Sequence, residues 1–262
     1  MKSFAAYFKR IDEIVKMGVD AAVLVKEDLP TKQVDTKQFP NPITQTLAKI
    51  FTSKGAMDGD ARDDVVATVS AQIPAQTLMP TQSEIFLGKA LGMAIGGVAG
   101  GDLKAIISKD NYILDGHHRW AATMLSNPSA KVGGLKANLT IGDLVPVLRA
   151  LGDVFNNPRR GNPGGGDINL YDSKFEDALA IINEGKYSSP KFYDKAKAQA
   201  WLQSIGGEAE LKKRYAALKA KKPPAGAPPR QDMPVIDADK GQEKETAALL
   251  NKGSLDVKKP YA

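Results

Sequence analysis

The chain has 262 residues, a formal net charge of +6 and no cysteine. The lack of cysteine excludes disulfides, thiolate nucleophiles and zinc–thiolate sites, and the presence of only two histidines, which are adjacent, excludes a cage of several histidines around a metal. A composition with 42% hydrophobic and 25% charged residues is typical of a soluble globular protein, and the modest positive charge is compatible with a polyanionic partner without requiring one.

Residues 1–57 predict an N-terminal helix followed by a connecting arm. Phe4, Phe8, Ile11 and Ile14 recur at steps of three and four, which is typical of an amphipathic helix. We expect this helix to dock on the core; the alternative is that it binds a partner. Because the first ten residues become charged without a long apolar run, they predict neither a signal peptide nor a membrane span, and we expect a cytoplasmic location.

Residues 58–155 predict the globular core of the protein. Within it, residues 65–70 and 73–78 are rich in β-branched side chains and bounded by turn signals, which predicts two short strands. A helix is expected to start near Glu84, with Ser83 as its N-cap, because serine at that position can accept the first free backbone N–H groups.

The second half of this core alternates strands with helices. Residues 104–108 and 112–114 predict a β-hairpin, and the helix that follows opens at a glycine or at the histidine after it. A strand at 136–139 and a helix at Ile141–Val154 complete the pattern. We therefore expect an α+β fold, with a small mixed sheet flanked by helices.

The C-terminal third is predicted to be helical and then flexible. Residues 156–222 predict helices at 175–183 and 193–218, and the proline-rich start of residues 223–262 predicts a mostly disordered tail. The end of the helical region holds six basic residues and no acidic one, which favours weak contact with nucleic acid. These residues are Lys212, Lys213, Arg214, Lys219, Lys221 and Lys222.

One short segment concentrates polar residues between two apolar ones. Asp115, Gly116, His117, His118 and Arg119 follow the second hairpin strand and open a helix, whose N-terminus offers free backbone N–H groups and a partial positive charge. Arginine adds a fork of donors that fits phosphate oxygens, and the glycine lets a ligand approach the backbone. The segment therefore predicts a phosphate-binding site.

The polar side chains of this segment could have one of several chemical roles, or a structural role only. His117 and His118 can donate hydrogen bonds to phosphate or transfer protons, and Asp115 can orient a histidine, accept a hydroxyl proton or help to hold a divalent ion. The structural alternative is that the histidines cap the helix while Asp115 and Arg119 form a salt bridge. We favour phosphate binding because four polar residues and a glycine lie together at the junction.

The segment from Asp115 to Arg119 resembles the phosphate-binding motif of the ParB/sulfiredoxin superfamily. The upstream stretch 73–84 is similar to the strand, proline turn and helix that precede the motif in such proteins. This resemblance implies that Thr81 and Gln82 also contact the phosphates. It further implies a nucleotide, either ATP or CTP, with Mg²⁺ bridging its phosphates.

The sequence differs from each branch of that superfamily. Sulfiredoxins use a cysteine beside the phosphate, so the absence of cysteine excludes repair of sulfinic acids. ParB proteins use a glycine-glutamate-arginine-arginine motif followed by a helix-turn-helix domain, which we do not find. The His-His form is closest to the free-serine kinases, and that resemblance implies Glu84 or Asp115 as the base that accepts a hydroxyl proton, with His117 beside it.

Three functions follow from these observations. The first is an enzyme, a nucleotide-dependent phosphotransferase or nucleotide hydrolase; we expect no metal site built by the protein alone, since the acidic stretch 58–64 lacks the spacing of a calcium loop. The second is a ParB-like protein whose contact with DNA, without sequence preference, is switched by nucleotide. The third is a phage-encoded accessory or structural protein, which would bind other phage particle proteins or form a homodimer.

Overall fold

The described part of the chain folds around a five-stranded mixed sheet covered by helices. The computed structural model describes residues 65–155, 157, 166–186, 193–237 and 240–253. These residues form seven α-helices and five strands, so the predicted α+β class and small mixed sheet are confirmed. The predictions for residues 1–57 and for the acidic stretch 58–64 lie outside the described residues.

The bounds of the elements are as follows. The strands are β1 (Thr68–Pro74), β2 (Met79–Pro80), β3 (Gly101–Ile107), β4 (Tyr112–Asp115) and β5 (Lys131–Ala137). The helices are α1 (Leu87–Ile95), α2 (His117–Ser126), α3 (Ile141–Val154), α4 (Phe175–Glu184), α5 (Lys195–Ser204), α6 (Gly207–Ala220) and α7 (Gln242–Asn251). Short 3-10 turns lie at Ala75–Thr77 and Arg230–Asp232.

The order of strands in the sheet is β1-β5-β3-β4-β2. Neighbours β1/β5 and β3/β4 are antiparallel, whereas β5/β3 and β4/β2 are parallel. The predicted hairpin is thus confirmed as β3 and β4, and its turn uses Asn111 with a φ of 66°. In this order β2, which lies within the upstream stretch 73–84, pairs with Tyr112 and Ile113 of β4, the strand that leads into the polar segment.

The two faces of the sheet are covered by different helices. On β4, Ile113 is buried among residues of α1, α2, α4, α5 and α6, whereas Leu114 is buried among residues of α3 and α7. This alternation is the consequence of a strand's two-residue period. Trp120 of α2 is fully buried in the first of these cores, and its indole Nε1 donates to Ala75 O at 2.9 Å.

Helix α1 starts later than predicted and is capped by a residue distant in sequence. The N-cap position is occupied by Phe86, and no side chain caps the helix there. The carboxylate of Asp167 instead accepts the N–H groups of Gly88 at 2.8 Å and Lys89 at 2.9 Å. Ser83 is not the cap, because it lies in a bend three residues before the N-cap position, where its own N–H donates to Pro228 O at 2.9 Å.

The single helix predicted for residues 193–218 is two helices, α5 and α6. Gly206 and Gly207, between and at the start of these helices, have φ values of 105° and 81°, which residues with a side chain rarely adopt. The chain therefore turns at this glycine pair and α6 packs back against α2.

The C-terminal residues are packed on the domain, which corrects the prediction of a flexible tail. Within residues 223–253, the described residues include α7, whose Leu250 O accepts the N–H of Val66 at 2.9 Å. Asn157 Nδ2 donates to Val235 O at 2.7 Å and to Gln242 Oε1 at 2.7 Å. The prolines signal an absence of helix, but apolar residues beyond them supply buried surface that the composition alone does not reveal.

No helix in the described ranges is long and apolar enough to cross a membrane.

Strand β5 begins at Lys131, five residues before the predicted start. The prediction was late because Gly133 and Gly134, which lie in the strand, indicate a loop in the sequence. An added Cβ on Gly134 would collide with the backbone of Ala105 on β3, where its distance to Ala105 N would be 2.6 Å. The close approach coincides with an irregularity in the pairing of β3 with β5 between Asp102 and Ala105. Glycine, which reads as a loop signal in sequence, is here required by the proximity of two backbones.

We predict that Gly134→Ala lowers the free energy of unfolding by about 3 kcal/mol or more, because backbone atoms must move to admit the methyl group. Gly92→Ala is the matched control, since nothing lies within 4 Å of the added Cβ in helix α1. The control should be neutral or stabilising by roughly 0.5–1 kcal/mol. Urea unfolding of both variants tests this, and equal stabilities would contradict it.

Candidate functional site

The polar segment lies at a tight junction between β4 and α2. Strand β4 ends at Asp115, Gly116 adopts a left-handed conformation with φ 91° and ψ 16°, and α2 begins at His117. The conformation explains the glycine, because a side chain there would be strained. Gly116, at the N-cap of α2, has no side chain with which to cap this helix, whereas at the start of α1 the carboxylate of Asp167 accepts the N–H groups of Gly88 and Lys89.

His117 is a buried acceptor of backbone hydrogen bonds. Its Nε2 accepts the N–H of Thr81 at 3.0 Å and lies 3.4 Å from the N of Gln82. The proton of the neutral ring must therefore be on Nδ1. Burial lowers the pKa of His117 to about 3, so the ring is neutral at physiological pH. A base this weak accepts few protons at neutral pH, which favours a positioning and donor role for His117 over proton transfer.

His118 makes an equivalent contact to the next part of the same segment. Its Nε2 accepts the N–H of Phe86 at 3.1 Å, and its ring stacks on that of Phe86 with centroids 5.8 Å apart and planes inclined by 22°. The Nε2 atoms of both histidines therefore bond the chain that precedes α1. The structural alternative had instead placed the histidines as caps of α2.

Asp115 and Arg119 face each other across the first turn of α2. Arg119 Nη2 lies 3.5 Å from Asp115 Oδ2, and the side chains are 33% and 29% exposed. The salt bridge of the structural alternative is therefore present. At this distance and exposure it is a weak ion pair, and both groups can still reach a bound ligand.

A cavity of about 250 Å³ opens at this junction. All five residues of the polar segment line it, as does the predicted Gln82. The cavity is also lined by two further cations, Lys89 and Arg230, and by the stretch 233–237. The structure thus brings together most of the predicted site and adds a wall from the C-terminal region.

Thr81 and Glu84, also predicted to be in the site, are not among the described residues that line the cavity. The hydroxyl of Thr81 is buried and donates to Ile113 O at 2.7 Å. One oxygen of Glu84, Oε2, accepts the backbone N–H of Arg230 at 3.1 Å. Their observed contacts hold the chain around the cavity.

The sequence analysis missed Arg230 and the 233–237 wall. They follow a proline-rich run, which indicates disorder when composition alone is considered. The signal that could have found them is the cluster of apolar residues Met233, Val235 and Ile236, because a disordered tail is rarely so apolar.

The basic segment at the end of α6 is mostly engaged within the fold. Arg214 has a side chain that is 16% exposed; its Nε donates to Glu210 Oε1 at 2.9 Å, and its Nη atoms donate to the carbonyls of Leu125, Ser126 and Ile205. Three of the lysines lie over aromatic rings of the fold and others contact carbonyl or carboxylate oxygens. These lysines, with their partners, are Lys212 over Phe175, Lys219 over Tyr215 and near Ser173 O, Lys222 over Tyr171, Lys221 on Gln76 O, and Lys213 near Glu210.

The described residues contain no group of three or more histidine, aspartate or glutamate side chains that could hold a metal ion. Asp115 and Asp237 are the carboxylates among the described residues lining the cavity. A Mg²⁺ ion commonly uses one or two carboxylates together with substrate phosphates, so these residues fit an ion that a nucleotide carries in.

The chain was compared with known proteins at three levels. No protein-family model, no curated protein and no solved structure matches it.

We predict that His117→Gln reduces the loss of stability in acid. Between the unfolded pKa near 6.5 and the folded value of about 3, the unfolded chain binds a proton that the folded protein does not. This contribution is therefore complete above pH 6.5 and is lost as the pH falls. From pH 7 to pH 4 the native protein should lose about 3 kcal/mol more than the variant in chemical unfolding. Equal losses would contradict the buried neutral ring.

We predict that Arg214→Ala lowers the free energy of unfolding by about 2 kcal/mol or more, because it leaves buried carbonyls at the end of α2 without their charged donor. The matched control is Lys213→Ala, whose side chain is 79% exposed and which should change stability by less than about 0.5 kcal/mol. Thermal and urea unfolding measure the difference; similar values for both variants would show that Arg214 is not structural.

Proposed function

We propose that this protein binds the phosphates of a nucleotide in the cavity at the N-terminus of α2. The observation that supports this best is the convergence of the N-terminus of α2 with Arg119, Arg230 and Lys89 on one cavity. The backbone N–H groups of a helix N-terminus and guanidinium forks are donors that phosphate oxygens prefer.

Each of these groups would contact a different part of the nucleotide. The backbone at Gly116 and the first turn of α2 approaches one phosphate closely, and Arg119 adds a bidentate donor. His117, neutral and protonated on Nδ1, would add a donor without adding charge. A cavity of about 250 Å³ is smaller than those that enclose whole ligands of nucleotide size, so it holds the phosphates, and the nucleoside lies along the 233–237 wall.

The chemistry that we propose is phosphoryl transfer or nucleotide hydrolysis. Such reactions depend mainly on positioning and on stabilising charge, which the cations of the cavity can provide. Asp115 is the carboxylate of the motif and would accept the proton of the attacking hydroxyl. Asp115 and Asp237 would hold a Mg²⁺ ion, whose charge would offset part of that of the phosphates. The Glu84 Oε2 contact with the Arg230 backbone favours a structural role for that residue over the role of base.

We predict that calorimetry with ATP, ADP and CTP, each with Mg²⁺, detects binding of at least one nucleotide by the native protein. Arg119→Ala should weaken it by about a hundredfold, because charged hydrogen bonds to phosphate are lost. The charge-matched control is Lys197→Ala on α5, whose side chain is 76% exposed and which should bind as the native protein does.

Phosphate release measured on the same samples separates an enzyme from a protein that only binds. Binding that Arg119→Ala removes, with no release and no transfer to added hydroxyl compounds, would leave a nucleotide-binding module. Absence of binding to every nucleotide would refute the proposal and favour an accessory protein that keeps the fold alone.

A further inference from the structure

Arg230 belongs to the wall of the cavity although it follows the motif by more than a hundred residues. We propose that Arg230 is a second anion-binding residue of the site, and that the ligand therefore carries two or more phosphates. This inference rests on the proposed nucleotide binding, and it assigns the class of nucleotide: a diphosphate or triphosphate in preference to a monophosphate.

The backbone of Arg230 is fixed to the chain that precedes α1. Glu84 Oε2 accepts the N–H of Arg230 at 3.1 Å, and the N–H of Ser83 donates to Pro228 O at 2.9 Å. The two bonds run in opposite directions between the same two segments, so they define how the segments lie against each other. Arg230 consequently starts from a fixed point at the rim of the cavity.

The side chain of Arg230 is oriented by a stack that begins in the motif. Its guanidinium carbon lies 5.6 Å from the centroid of the Phe86 ring, and that ring stacks on His118. A guanidinium group is attracted to an aromatic face, which limits the directions in which it points. Since His118 Nε2 also accepts the N–H of Phe86, the motif helix, the ring and Arg230 form one connected unit.

The charges that line the cavity favour a ligand with more than one anionic group. The cations come from three separate parts of the chain, Lys89 on α1, Arg119 on α2 and Arg230 beyond α6, and they outnumber the two carboxylates among the described lining residues, one of which, Asp115, lies 3.5 Å from Arg119. Asp237, the other carboxylate, lies 3.5 Å from Lys240. One guanidinium fork matches the oxygens of one phosphate, so two forks in one cavity match two phosphates.

The test compares ADP with AMP, with CDP and CMP as a parallel pair, by calorimetry on the native protein and on Arg230→Ala. The native protein should bind the diphosphate at least about tenfold more tightly than the monophosphate. Arg230→Ala should weaken diphosphate binding by about ten- to a hundredfold and change monophosphate binding by less than about threefold. Gln231→Ala, an exposed neighbour in the same turn, is the matched control and should change neither.

Arg230→Lys provides a second variant that keeps the charge but loses the fork and its planar stacking. It should give an intermediate loss for the diphosphate, and circular dichroism of each variant shows whether the fold is kept. Equal losses for both ligands in Arg230→Ala and Arg230→Lys, or no loss for either, would overturn the inference.

The failures of the two proposals are distinguishable. Binding that Arg119→Ala removes and that Arg230→Ala leaves unchanged would overturn the role of Arg230 while the nucleotide site stands. Absence of binding by the native protein to every nucleotide of the series would overturn both.

Discussion

The arrangement of the site depends on two ring nitrogens that accept backbone N–H groups. His117 Nε2 and His118 Nε2 bond the two ends of one non-helical stretch, at Thr81 and at Phe86. Because these bonds lie in a buried region, breaking either leaves a donor unsatisfied at a cost of about 1–3 kcal/mol. The stretch between them cannot shift without that cost. The two bonds therefore fix the position of Gln82 in the cavity and of Glu84 beside the backbone of Arg230.

This use of histidine separates structural from electrostatic roles within one motif. The Nε2 atoms of both histidines bond the chain that precedes α1, while the positive charge at the junction comes from arginine. In α1, by contrast, Asp167 occupies the N-terminal N–H groups. The N-termini of the two helices therefore differ in their charged neighbours, which are Asp167 at α1 and Arg119 with Asp115 at α2.

Local signals in the sequence were sufficient for the hairpin, for α2 and for α3, because periodicity and turn residues act over a few positions. They failed where the deciding contact was distant. The start of α1 depends on Asp167 and on His118, neither of which a scan for an N-cap at Ser83 can detect. The glycines of β5 indicate a loop by composition, yet Gly134 is a strand residue because Ala105 lies so near. Residues 223–253 were misjudged since their apolar partners, among them Val66 and the buried residues of α3, are distant in sequence.

The candidate site shows the same division. The segment from Asp115 to Arg119 was visible as a cluster of polar residues, whereas Arg230 itself has no motif, and only the apolar residues at 233–236 indicate that its segment packs on the fold. Sequence can therefore indicate the part of a site built on one strand–helix junction, but not the part that a later segment contributes.

The position of the 233–237 wall has a consequence for the order of events at the ribosome. The motif is synthesised long before Arg230, and domains begin to fold as they emerge. A nascent chain that has completed β4 and α2 would present an open, positively charged groove without its second side. Affinity for the proposed ligand would rise late in translation, when the segment that follows Arg230 packs against α3, and a chain stalled before that point would lack one wall of the cavity even with every motif residue present.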